Sequence, residues 1–287
     1  MALRMTLAAL GAAAAITGAT PAASAPAPWE TFSRPPPLPA AALEGRVAHD
    51  GALIWFATFG EGSPVILLHG AGGDSDNFGF QVPALVADGH RVIVIDSRGQ
   101  GRSTHGPEPL SYELMETDVI GVMDALNIRK ADVVGWSDGA IVGIIMAMHD
   151  PDRERRIFAY SPNMDPSGVR ANAFSQPIVL EAMKWAQDDY TRLSPTPGAF
   201  GDLLTEVGKM TETQPNYTAA QLARIHGPRI AIVDGDREEL IKPEHLAYLA
   251  KTIPRASLII LKSVSHFGPL QDPDQVNRAI EHFLDAP

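Results

Sequence analysis

The chain contains no cysteine. That absence excludes a disulfide framework, a thiolate nucleophile and any metal site built on sulfur ligands. Positive charge is scarce as well. Twenty-three basic residues stand against 34 acidic ones, a formal charge of −11, and no basic run occurs anywhere. This balance argues against nucleic acid and anionic membrane surfaces as partners. Long apolar runs are also lacking outside the first 25 residues. There, Met1 to Arg4 form a short charged start, Met5 to Ala19 an alanine-rich apolar stretch too short and too rich in glycine and threonine for a retained span, and Ala23-Ser24-Ala25 a small-residue cleavage site. Residues 1–25 are expected to be a secretory signal peptide. The mature chain is expected in a periplasm or outside the cell, with no stable membrane insertion after processing.

Six prolines follow between residues 26 and 43, with little periodic apolar content, and this stretch reads as a loose arm or tether. Residues 44–287 are long enough for one large core, and 45% hydrophobic residues across the chain can fill it. Residues 45–49 and 52–60 suit a hairpin around Asp50-Gly51. Apolar runs at 64–68, 91–95, 132–136, 156–160, 229–233 and 257–261 suit buried strands. Helical spacing separates most of them, near 78–88, 111–127, 138–149, 243–252 and 273–285. The expected fold class is α/β: a mostly parallel central sheet with an antiparallel N-terminal hairpin and helices on both faces. Residues from about 164 to 227 hold helical segments and no strand, which reads as a helical cap insertion. Of its apolar residues Phe174, Met183, Trp185, Tyr190, Phe200 and Met210, most are expected to pack the cap and a few to line a pocket.

The chemistry concentrates at Gly135-Trp136-Ser137-Asp138-Gly139, where an apolar strand turns directly into a helix. Such a tight turn leaves no room for side chains beside the serine and lifts Ser137 Oγ out of the backbone, while the helix start aims free N–H groups at what Ser137 attacks. A serine needs a histidine to remove its proton, and the histidine needs a carboxylate to fix its tautomer. Of nine histidines, His266 follows the last apolar strand, at the sheet end where open α/β sheets bind ligands. His69 suits bracing the loop that follows it, and His226, His245 and His282 read as ordinary residues. The acid lies within Asp234-Gly235-Asp236-Arg237-Glu238-Glu239, where position alone barely separates Asp236 from Glu238. The glycine-rich loop His69-Gly70-Ala71-Gly72-Gly73 can pair the Ala71 N–H with that of Asp138 on a developing oxyanion; it lacks the ending of a P-loop and the spacing of a dinucleotide fingerprint.

In combination these motifs, together with Asp96-Ser97-Arg98-Gly99-Gln100-Gly101-Arg102-Ser103, resemble the α/β-hydrolase family over nearly everything from Gly45 onward. The resemblance implies Glu238 as the acid, three residues past the glycine closing its strand, although aspartate is more usual there and Asp236 stays an alternative. A serine rather than an aspartate at 137 points away from the haloalkane dehalogenase and epoxide hydrolase branches. Gly-Trp-Ser-Asp-Gly is similar to the valacyclovir-hydrolase-like members, in which the acid after the serine helps recognise an α-amino group; Asp138 can equally serve only as a favourable charge at a helix start. The expectation is hydrolysis of a small or medium carboxylic ester through an acyl-enzyme, with no cofactor and no metal. The alternatives are an aminopeptidase of the proline-iminopeptidase type, a lactonase, a cofactor-free perhydrolase or haloperoxidase-like activity, and a ligand-binding relative without turnover.

Overall fold

A computed structural model describes residues 25–286 of the chain, so the expected leader lies, except for Ala25, outside the described residues. After a short 3-10 turn at Pro28–Glu30, the hairpin forms from β1 (Leu43–His49) and β2 (Ala52–Phe59). Asp50 and Gly51 take φ of 40° and 75° between them, the positive values that a tight two-residue hairpin turn needs. Strands and helices then alternate: β3 (Ser63–Leu68), α1 (Gln81–Ala87), β4 (His90–Ile95), α2 (Tyr112–Ala125), β5 (Ala131–Trp136), α3 (Asp138–His149) and β6 (Glu154–Tyr160). Three helices without a strand follow, α4 (Pro177–Leu193), α5 (Phe200–Thr213) and α6 (Ala219–Leu222). The alternation resumes with β7 (Arg229–Gly235), α7 (Pro243–Thr252), β8 (Ser257–Leu261), α8 (Gly268–Gln271) and α9 (Pro273–Asp285).

The strands form one eight-stranded sheet in the order β1-β2-β4-β3-β5-β6-β7-β8. The β1–β2 and β2–β4 pairs are antiparallel and every other pair is parallel. Consecutive residues such as Val65, Ile66 and Leu67 are all fully buried, because helices cover both faces of the central strands. Each such aliphatic side chain contributes roughly 1.5–3 kcal/mol by leaving water. At the β8 edge the rule relaxes, and Leu258 and Ile260 are exposed. Helix boundaries follow local chemistry: Ser111 Oγ accepts from Leu114 N and Asp272 Oδ1 from Gln275 N at two N-termini, and Asp150-Pro151 stops α3.

Two features position the site. From β3 the chain crosses first to β4 on one side and then to β5 on the other, so the loops after β3 and β5 leave the sheet side by side at a switch point, where open α/β sheets form their crevice. The excursion between β6 and β7 lies across that crevice. It is pinned there by His105 Nε2 to Glu206 Oε2 at 2.7 Å, Leu110 N to Glu206 Oε1 at 2.9 Å and Tyr217 Oη to Glu113 Oε1 at 2.6 Å. Tyr190, Phe200 and Met210 are buried in packing, whereas Phe174, Met183 and Trp185 face a cavity beneath.

Within the proline-rich stretch of residues 26–43, three side chains or backbone groups meet the rest of the chain. Trp29, Phe32 and Arg34 make specific contacts with the body, because the spaces between the prolines are filled by two aromatic rings and a guanidinium with partners on α4, α8 and the loop after β8.

Candidate active site

β5 is buried on both faces and hands the chain to Ser137 at φ 55° and ψ −117° before α3 begins. A non-glycine residue costs energy in that region and persists only when its surroundings hold it. Here they do. A Cβ added to Gly135 would run into the Gly139 carbonyl oxygen, and one added to Gly139 into that of Leu68, so the turn closes only with glycine at both places. The Ser137 N–H donates to the Tyr160 carbonyl on the adjacent strand at 2.8 Å.

The loop after β3 runs directly beside this turn. A Cβ on Gly70 would stand 3.1 Å from Ser137 Cβ and 3.7 Å from Ser137 Oγ. His69, buried, braces the loop: its Nε2 accepts from Ser97 N at 2.9 Å, which leaves Nδ1 as the donor to the Gly70 carbonyl at 2.8 Å. Burial lowers its pKa and keeps the ring neutral, against the opposing pull of Asp96. Gln100 Oε1 accepts from Gly72 N at 2.7 Å, tying the second glycine-rich loop to the first. Ala71 and Asp138 line the same cavity as Ser137. The first N–H groups of α3 have no carbonyl partner within their own helix, so the setting can stabilise an oxyanion.

His266 is buried on the turn after β8, with Nδ1 3.0 Å from Glu238 Oε1 and 3.1 Å from Oε2. Trp136 Nε1 donates to the His266 carbonyl at 2.9 Å, and Tyr160 Oη to the Ser265 carbonyl at 2.7 Å, so two aromatic residues from the central strands fix the turn. Burial opposes the imidazolium, but Glu238, then Glu239 and Asp138, outweigh it and raise the His266 pKa. Burial likewise opposes the Glu238 carboxylate, and its contacts with His266, Asp234 and the Ile241 N–H overcome that, lowering it to about 2. Asp236 points elsewhere: it accepts from Ser263 N at 2.8 Å and neighbours Lys262 and Arg237 at the surface.

Two further residues lie behind Glu238: Ser161, which the sequence does not single out, and Asp234, the first of the candidate carboxylates. The Ser161 hydroxyl, on a residue at φ 54°, lies 2.8 Å from Asp234 Oδ1 and 3.0 Å from Glu238 Oε2 and can donate to either. Asp234 is fully buried, and burial and the adjacent Glu238 charge push its pKa well up. An aspartate at the end of an apolar strand was the available signal, and it reads just as well as a loop charge. His245, read as ordinary, is also buried and accepts from Met164 N at 3.0 Å, shaping the start of the excursion.

Asp138 is more than a helix-start charge. Its side chain is buried at the cavity wall, Oδ1 accepts from Tyr112 Oη at 2.9 Å, and Oδ2 is buried without a hydrogen-bond partner. Burial raises its pKa to about 6 against the pull of Tyr112 and His266. The cavity has a volume of about 430 Å³ and is walled mainly by apolar side chains; Ser137, His266, Asp138 and Tyr112 are among its polar lining residues. Among the described residues, the group with metal-ligand spacing is Asp88, His90 and Asp285, and Asp88 and His90 stand at the opposite end of the sheet.

A strained serine at a strand-to-helix turn and a histidine backed by a buried glutamate, with serine and histidine lining one cavity at the switch point of a parallel sheet, define the class of protein. The chain belongs to the alpha/beta hydrolase family, whose model matches residues 65–279, and it is a hydrolase. It is 26% identical to RutD of Caulobacter segnis, provisionally named a carbamate hydrolase, over 77% of this chain and 91% of that one. It is 23% identical to the serine hydrolase BPHL of Mus musculus, over 85% and 87% respectively. Among solved structures, Est816, described as an N-acyl homoserine lactone degrading enzyme, superposes with a TM-score of 0.71 at 24% identity, covering 83% of this chain and 99% of that one.

Proposed function

We propose that the protein cleaves a small or medium carboxylic ester through an acyl-enzyme on Ser137. His266 Nε2 takes the Ser137 proton as Oγ attacks the ester carbonyl, and Glu238 holds the Nδ1 proton and stabilises the imidazolium. The Ala71 and Asp138 N–H groups receive the oxyanion, His266 returns its proton to the leaving alcohol, and water releases the acid by the same steps in reverse order of roles. The observation that carries this reading is the buried His266–Glu238 contact at 3.0 Å behind a cavity that Ser137 and His266 both line. The serine-hydrolase name of one relative supports serine as the attacking residue, and the carbamate-hydrolase name of another describes an acyl group the same scheme can cleave. Hydrolysis of p-nitrophenyl acetate through butyrate tests it: a burst of one equivalent of nitrophenol and loss of turnover in Ser137→Ala are expected, and turnover surviving in Ser137→Ala contradicts it.

A second reading concerns the substrate. The unpartnered Asp138 Oδ2 at the cavity wall favours an ester whose acyl part carries an ammonium group. The leader-like residues 1–25 support export, with the mature chain starting near Pro26; N-terminal sequencing of protein from the native host checks this, and an intact Met1 overturns it.

A further inference from the structure

The proline-rich arm crosses the body at the mouth of the cavity. The Phe32 ring stacks on Phe267, the neighbour of His266, at 4.9 Å between centroids and meets the Trp185 ring of α4 edge-on at 4.6 Å. Phe32 thereby forms part of the cavity wall itself.

It is clamped from both sides. On one side, the Trp29 carbonyl accepts from Gln271 Nε2 at 3.0 Å, and the Arg237 guanidinium lies 4.4 Å above the Trp29 ring. On the other, Arg34 Nη1 donates to both oxygens of Asp189 at 3.1 and 3.0 Å, Nη2 reaches Asp188 at 3.4 Å, and the same guanidinium sits 4.6 Å from the Trp185 ring. Beyond that, the Pro36 carbonyl oxygen packs so closely on Gly79 that no Cβ fits there. Pro28 before Trp29 and Pro35 after Arg34 restrict the backbone at both ends of the segment that carries Phe32. A tether would need none of this: three anchors to separate elements hold one aromatic ring where the β8 turn and α4 leave a gap.

We propose that the N-terminal arm completes the substrate pocket and that Phe32 is a specificity-determining residue, setting the bulk of the apolar group the pocket accepts. The chemistry of the wall says what that group is. Phe32, Phe267 and Trp185 present ring faces and edges, Met183 and Leu204 extend the surface, and the Asp189 carboxylate on that wall is already paired with Arg34 and Arg192, so the ligand part seated there is uncharged alkyl or aryl. Removing the ring opens the pocket toward the outside and admits a longer chain; enlarging it shortens the space. The inference rests on the ester-hydrolase reading for its substrates, but the geometry of the wall does not depend on which residue attacks.

The test compares wild type, Phe32→Ala and Phe32→Trp on p-nitrophenyl butyrate and p-nitrophenyl decanoate. Phe32→Ala is expected to raise the decanoate-to-butyrate ratio of kcat/KM by about tenfold or more and Phe32→Trp to lower it, as one or more methylenes of pocket space do. Arg34→Ala, which frees the arm, should move the ratio in the same direction as Phe32→Ala. A purely structural role lowers both rates together and leaves the ratio where it was, which overturns the proposal. The same pair of esters is titrated against Ser137→Ala and Ser137→Ala/Phe32→Ala by intrinsic tryptophan fluorescence. A shifted Kd ratio there supports the arm's role even if wild type turns neither ester over, an outcome that sinks only the ester-hydrolase reading. An unshifted ratio, or no binding of either ester, counts against the arm.

Discussion

The Glu238 carboxylate receives His266 Nδ1 on both oxygens, at 3.0 and 3.1 Å, while the N–H groups of Leu240 and Ile241 hold it at 2.6 and 2.9 Å. A glutamate, one methylene longer than the family's usual aspartate, reaches the histidine because its own loop folds back on it. Its charge sets the pH range of the proposed chemistry. His266 accepts a proton only when neutral, and its pKa is raised, so kcat/KM should fall as pH drops through a point above the ordinary imidazole value of about 6.5. In Glu238→Gln burial acts without its counter-charge, so the limb should move to lower pH and kcat drop by about 10³–10⁴-fold. A pH–rate profile that is flat to well below the histidine range contradicts the assignment.

Asp234 behind Glu238 is expected to be neutral, so Asp234→Asn should fold and work nearly as wild type, its amide replacing the acid proton as donor to Glu238. Asp234→Ala leaves Ser161 and Glu238 short of a partner and should cost about 1–3 kcal/mol of stability. Denaturant unfolding of the two variants decides; an Asn variant as damaged as the Ala variant means that Asp234 is charged.

Much of the fold was legible because its signals are local. The strand over 257–261 and the helices over 138–149, 243–252 and 273–285 begin and end where apolar spacing, proline and capping residues say they should. The short helices α6 and α8 carry too few turns to show a period. A motif and chain order single out Ser137 and His266 as candidates, and the two line one cavity. Spacing does not settle Glu238 against Asp236: two residues apart in one loop, Glu238 faces His266 and Ser161 in the buried site, whereas Asp236 faces Ser263 and Lys262 at the surface. The docking of the arm was illegible for a similar reason. Proline content describes the backbone of residues 26–43, whereas Phe32 and Arg34 find partners more than 150 positions away on α4.

A carboxyl cluster at the other end of the sheet makes stability depend on pH. Burial, then the neighbouring Asp150, raises Glu116 to about 8, and burial with Glu116 and Asp150 raises Glu154 well above its ordinary value. Because these folded-state pKa values exceed the unfolded ones, the favourable contribution is complete below about 4.5 and is lost as pH rises toward about 8 and beyond. Thermal unfolding should therefore show Tm falling between pH 5 and pH 9 in wild type and falling less in Glu154→Gln, whose amide can donate to the neighbouring carboxylates. Parallel curves for the two proteins contradict this.

Asp138 gives a substrate prediction. If its buried, unpartnered oxygen receives an ammonium, Asp138→Asn should lower kcat/KM for an aminoacyl ester by about 10–100-fold while changing that for the matched unsubstituted ester far less. Equal loss on both esters assigns Asp138 to holding the turn.

The proposed chemistry requires an activated Ser137, and a fluorophosphonate probe reads that directly. Intact and peptide mass spectrometry of the labelled protein should show one adduct, on the peptide containing Ser137, and none in a folded Ser137→Ala variant. A folded wild-type protein that takes no label, or one labelled equally after Ser137→Ala, contradicts the central claim.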